Sequence, residues 1–309
     1  LNCLRLARDM FKKSTWLHLR IPFSYFLLPI YLFALSLSPN FSEQGMLGLL
    51  VILHLFIYPA SNAYNSYFDK DEGSIGGLKN PPKVDKNLYY LASLFDLIGL
   101  ALTQYLYSNW TLTLMVLAYV LVSRAYSNDR IRLKRFALLS WMIAGFFQGA
   151  WVVWLTYVGL NDFNFLMVMN DKPLYGGLLA SAILWGSYPM TQIYQHAEDT
   201  KRGDRTLSVL LGIKGTFLFT ASCFALATLG FIWFFRTFFD IKYAGAFVLA
   251  MLPVVLFFSW WMIKTWKDQT QANYQNTMRL NMISSTALAL FFIYLFLDYT
   301  QVLNVVGVY

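Results

Sequence analysis

Apolar runs long enough to cross a bilayer recur along the whole chain, parted by short polar breaks. They predict nine membrane-spanning helices at roughly 21–40, 46–67, 88–107, 110–127, 137–158, 174–197, 213–235, 243–264 and 281–299. The predicted fold class is all-α integral membrane, because a lipid-exposed segment must satisfy its backbone internally. Ahead of the first run, residues 1–19 are basic and amphipathic without a cleavable-signal pattern, which predicts a helix lying at the membrane surface. Residues 20–309 then form a single transmembrane domain.

Composition agrees with the pattern. Of 309 residues 58% are apolar and only 13% charged, where a soluble domain has about a quarter charged. The net charge of +8 could suggest nucleic acid, but its distribution is topological. All the Lys and Arg except Lys172, Arg236 and Lys242 fall in the N-terminal segment or in alternate loops. By the positive-inside rule that places the N-terminus in the cytoplasm and the C-terminus outside it, with an odd number of spans. No nucleic-acid partner is needed. Cys3 and Cys223 are too few for a disulfide framework or a thiolate metal site.

Two polar clusters break the pattern at matching places. "NAYNSYFDKDEG" (62–73) closes the second span and "YQHAEDTKRGDRTLSVLLG" (194–212) closes the sixth, so both open on the same, cytoplasmic face. Their placement suggests two pseudo-repeats of four helices plus one, around a central cavity with cytoplasmic cap loops. Asn65, Asp69 and Glu72 stand at i, i+4 and i+7, one face of a helix that Gly73 can end. Gln195, Glu198 or Asp199, and Arg202 repeat that spacing on the sixth helix. Amide and carboxylate oxygens gathered this way, with Asp71 beside them, suit Mg²⁺, which shares its coordination with substrate phosphates. Lys79 and Lys83 in one loop, and Lys201, Arg202 and Arg205 in the other, are placed to grip phosphate oxygens. One acidic helix end alone is more often a solvated boundary. Two at equivalent positions favour a site.

At these residues the chain resembles the UbiA superfamily of intramembrane prenyltransferases, with its NDxxDxxxD-type and DxxxD-type motifs. The first reads "NSYFDKDEG" here and the second "QHAEDTKRGDRTLSVLLG", ending in the more specific G-D-R-T-L-x-V-x-x-G. "RIP" at 20–22 and "AYSNDRIRLKRF" at 125–136 resemble further family segments; the latter implies Lys134 as a phosphate ligand, while "RIRLKR" also has the composition of a plain topology signal. Asn65, Asp69 and Asp199 keep the family pattern as its catalytic core. Ser66, Gly73 and Gln195 depart from it, each standing where a carboxylate is usual. Asp71, Glu72, Glu198 and Asp204 are the candidates to supply that charge.

The resemblance implies Mg²⁺-dependent transfer of a polyprenyl group from its diphosphate to a small-molecule acceptor, commonly an aromatic ring, within the membrane. Aromatic faces can stabilise the allylic cation. Tyr64, Tyr126 and Tyr194 are the first candidates, with Tyr67, Phe68 and Tyr188 also near in sequence. His196 could bind phosphate, act as a base for the acceptor, or join Gln192 and Gln195 in a structural network. Asn281 reads as a helix-end residue. Two other readings stay open: a transferase of the same fold using another activated donor, and a non-catalytic membrane binding or transport protein.

Overall fold

The computed structural model describes residues 12–302, and every regular element among them is helical. A short helix α1 (Lys13–Leu17) leads through Arg20, whose φ is 48°, into a 3₁₀ stretch (Ile21–Leu27) and then α2 (Leu28–Leu37). Pro22 and Pro29 start these two segments, where their missing N–H groups cost nothing. Residues 1–11, most of the expected surface helix, lie outside the described part.

The second rod runs from α3 (Glu43–Val51) through a π turn (Ile52–Ile57) into α4 (Tyr58–Asp69). Pro59 cannot donate to the preceding turn, and the wider π turn just before it absorbs the lost bond. α4 ends at Asp69, because Lys70 turns left-handed with φ 50°. The helix therefore stops four residues before Gly73, and Glu72 is not on it.

α5 (Asn87–Tyr107) and α6 (Trp110–Ser127) follow, α6 capped by the Asn109 side chain. α7 (Ala137–Gln148) and α8 (Ala150–Asn161) form one rod broken at Gly149. α9 (Asp171–Gln192) stops five residues before the expected end. The polar residues beyond it belong to a separate short helix, α10 (His196–Arg202), with Gln195 as its N-cap residue. α11 (Leu207–Phe238) starts at a Thr206 cap and bends at Gly212; α12 (Ile241–Lys267) and α13 (Tyr274–Thr300) follow. α13 begins at Tyr274, which puts Asn281 two turns inside it rather than at its end.

Among the described residues, seven helical segments are long and apolar enough to cross a membrane: Lys13–Leu37, Glu43–Asp69, Trp110–Ser127, Ala137–Asn161, Leu207–Phe238, Ile241–Lys267 and Tyr274–Thr300. The chain is a multi-pass membrane protein. α9 packs on α7, α8 and α11; α11 meets α12, α12 meets α13, and α13 returns to α2, closing a ring. That closure is made by aromatic rings. Phe33 of α2 stacks on Phe292 of α13 with centroids 4.7 Å apart, and Phe231 of α11 stacks on Phe247 of α12 at 4.9 Å. Without a hydrophobic drive between helices in lipid, such close van der Waals contact holds the bundle.

The break at Gly149 is a close approach of two backbones. A Cβ there would lie 2.6 Å from the Ser181 backbone of α9, and Ser181 Oγ accepts the Ala150 N–H at 2.9 Å. Gly149→Ala is expected to cost about 1–3 kcal/mol, seen as a lower unfolding temperature of the purified protein. Gly245→Ala, with nothing within 4 Å of the new methyl, should leave that temperature unchanged or higher.

Candidate active site

The end of α4, the loop after α6, and α10 converge on one polar cavity of about 230 Å³. From the first cluster Asn65, Asp69 and Asp71 line it, and from the second Gln195, Asp199, Arg202 and Asp204. Asp204 is delivered by Gly203, whose φ of 75° ends α10 and lets the Asp204 N–H bond the Asp199 carbonyl at 2.9 Å.

Charge organises the cavity. Lys134, buried in the loop after α6, forms a short hydrogen bond to Asp69 Oδ1, and its Nζ lies 3.6 Å from Asp204 Oδ2. Arg132 holds both oxygens of Asp204 at 2.9 Å with a bidentate fork, and its Nη2 stands 3.9 Å from Asp69. Those hydrogen bonds to Asp204 raise the Arg132 pKa above its ordinary value. Arg202 pairs with Asp71 at 2.5 Å. Among the described residues the Asp199 carboxylate accepts one long hydrogen bond, from Thr206 Oγ1 at 3.3 Å. Burial pushes its pKa up to about 7, and the neighbouring Asp204 and Asp71 charges push the same way against Lys134. An extra cation in the cavity would favour its ionised form.

Among the described residues no three His, Cys, Asp or Glu side chains converge tightly enough to form a metal site as they stand. The donors are nonetheless hard oxygens, four carboxylates and five amides on one cavity, which is the chemistry a divalent ion such as Mg²⁺ takes.

Several expected residues stand elsewhere. The Glu72 side chain is 88% exposed, 4.0 Å from an equally exposed Lys201. Lys79, Lys83 and Arg205 are exposed and do not line the cavity. Glu198 turns from the cavity to accept the Gly73 N–H at 2.6 Å. A Cβ on residue 73 would meet that same oxygen at 2.7 Å, so the glycine at a position where a carboxylate is usual leaves room for Glu198. Ser66 is buried outside the cavity lining. The Gln195 amide donates to Ser74 O at 3.3 Å, a second tie between the two clusters.

Of the aromatics, Tyr126 and Tyr188 line the cavity and share a short hydroxyl–hydroxyl bond, and Tyr194 lines it edge-on to Tyr274. Tyr64 is turned away. Its ring lies 3.8 Å below the Arg124 guanidinium, which pairs with Asp96, and its hydroxyl accepts from Asn128 at 2.9 Å. Tyr67 and Phe68 pack together at 5.1 Å outside the lining. His196 bonds Ser208 Oγ at 2.7 Å, and burial lowers its pKa.

Arg20 and Arg132 carry the geometry without having been marked as ligands by the sequence. Arg20 lines the cavity while bonding the Asn62 and Gly76 carbonyls at 2.9 and 3.1 Å. The only signals for the pair were "RIP" and the basic "RIRLKR" run.

The sequence profile of the UbiA prenyltransferase family matches residues 26–283. The chain belongs to that family. Solved structures share the fold at low identity. A UbiA homolog from Aeropyrum pernix K1 aligns with TM-score 0.68 at 17% identity, over 89% of this chain and 98% of its own. A UbiA homolog from Archaeoglobus fulgidus bound to GPP and Mg²⁺ aligns with TM-score 0.60 at 18% identity, over 92% and 99%. A digeranylgeranylglyceryl phosphate synthase aligns with TM-score 0.59 at 15% identity, over 92% and 98%. No curated protein matches the chain in sequence.

In this UbiA-family chain Lys134 screens two buried carboxylates from one another. Lys134→Met is therefore expected to destabilise the protein by about 3–5 kcal/mol, the cost of leaving buried charge uncompensated. Thermal unfolding checks this, with the exposed Lys79→Met as the silent control.

Proposed function

We propose that the protein transfers a prenyl group from a prenyl diphosphate to a small-molecule acceptor within the membrane. One observation carries this reading. The charged cavity shares Phe23, Ser61, Asn62, Tyr119, Gln148, Tyr188 and Thr191 with a second, mainly apolar cavity of about 250 Å³. A polar chamber joined to an apolar one suits an anionic head on a hydrocarbon tail.

The residues divide the work accordingly. Lys134, Arg202 and Arg20 would grip diphosphate oxygens through charge-assisted hydrogen bonds. Asn65, Asp69, Asp71, Gln195, Asp199 and Asp204 would hold Mg²⁺, which when bound supplies charge neutralisation for the diphosphate leaving group. As the allylic C–O bond breaks, its electron pair leaves with the diphosphate. The carbon left behind sits at the junction of the chambers, where Tyr119 and Tyr188 line both and aromatic walls favour a cation while excluding water. The acceptor attacks that carbon and loses a proton.

The membrane arrangement belongs to the same proposal. α5 and α9, of 21 and 22 residues, are each about 30 Å long and pack against crossing helices, which supports nine spans in two halves of four plus one. The N-terminus and both clusters would then face the cytoplasm, with 20–309 as one domain.

A second reading is a non-catalytic binding protein, favoured by the salt bridges that already neutralise Asp69, Asp71 and Asp204. Diphosphate release from a prenyl diphosphate separates the two. Asp69→Ala and Asp199→Ala are each expected to lower it at least about 10²-fold. Chelation of divalent ions should stop it and added Mg²⁺ restore it. Turnover that survives both substitutions overturns the proposal, and absence of any metal-dependent binding of prenyl diphosphates establishes the second reading.

A further inference from the structure

α4 and α6 are joined by a short polar ladder beside the charged cavity. Ser61 and Asn65 stand one turn apart on α4, Ser123 and Ser127 one turn apart on α6, and all four line the cavity. The Ser61 and Ser123 hydroxyls are 2.6 Å apart, and Asn65 Nδ2 donates to Ser127 Oγ at 3.2 Å. Ser127 is 2% exposed and closes α6, and the next residue, Asn128, donates to the Tyr64 hydroxyl at 2.9 Å. The end of α6 is thus held against α4 just where the loop to Arg132 and Lys134 departs. Among the described residues nothing donates to Asn65 Oδ1.

An amide nitrogen can only donate and an amide oxygen can only accept. With Nδ2 committed to Ser127, the end of Asn65 left for a cation is Oδ1. Without that partner the NH₂ group would satisfy itself on the carboxylates of the same cavity, where it competes with a cation for their oxygens. We propose that Ser127 is a positioning residue for the divalent-ion site: its hydroxyl holds the Asn65 nitrogen and so keeps the carbonyl oxygen available as a ligand. The proposal rests on reading the cavity as the Mg²⁺–diphosphate site. Groups that orient a metal ligand set the affinity for the ion without touching it.

The test uses the full chain in lipid nanodiscs and reads binding rather than turnover. The probe is tritiated geranyl S-thiolodiphosphate, whose C–S bond resists cleavage, titrated against rising Mg²⁺. Ser127→Ala is expected to raise the half-saturating Mg²⁺ concentration at least about tenfold. Binding at saturating Mg²⁺ should be retained, which also shows that the variant is folded. Ser123→Ala, which cuts the neighbouring rung without touching an amide, should leave the Mg²⁺ requirement unchanged. In an Asn65→Asp background both ends of the side chain are oxygen, so adding Ser127→Ala should not raise the requirement further. An unchanged requirement in Ser127→Ala overturns the proposal. So does an equal rise from Ser123→Ala or in the Asn65→Asp background, since either marks a general loosening of the helix contact. Wild-type binding that is indifferent to Mg²⁺ overturns the metal reading and the proposal with it, whereas the other outcomes leave that reading standing.

Discussion

The Lys134 ammonium lies between two buried carboxylates, Asp69 at the end of α4 and Asp204 just past α10, with Arg132 closing the cluster from the same loop. These charges join three segments that are far apart in sequence. A buried carboxylate is costly to ionise unless a cation compensates it. The loop after α6 supplies two cations, and so fixes where both acidic clusters can stand. The cavity, its lining and its charge all depend on that compensation.

The same economy explains the shape of this charged end of the bundle. α4 stops at Asp69 and α9 at Gln192, so neither rod carries its acidic residues as a continuous face. The turns that follow lay the loop after α4 beside α10, tied by Gly73 to Glu198, Ser74 to Gln195 and Asp71 to Arg202. Carboxylates thus end in two populations. Asp69, Asp71, Asp199 and Asp204 face the cavity, whereas Glu72 is in solvent and Glu198 serves the backbone. The positions that depart from the family pattern gain a physical account. At Gly73 the space is used by Glu198, and Gln195, at the start of α10, ties it to Ser74.

Below this charged end the bundle changes character. Rings from α2, α11, α12 and α13 interlock beside the apolar cavity. Tyr119 and Tyr188 line both chambers, so the charged cavity grades into the apolar one across them.

The amino-acid sequence by itself determined the helical class, the approximate extent of most helices and the two clusters, because bilayer thickness fixes the length of an apolar run and polar residues concentrate at its ends. The expected bounds of α6, 110–127, coincide with Trp110–Ser127 for that reason. Asn65, Asp69, Gln195, Asp199 and Arg202 do meet on one cavity. Only the tertiary structure decided which of their neighbours join them. Helical spacing put Glu72 on the face of Asp69, but a single left-handed residue, Lys70, removed it. Tyr64 lies within the first cluster and yet faces Arg124, whereas Arg20 comes from a distant segment. Pairing of buried charges and hydroxyls is a relation between helices, and no pattern along one helix contains it.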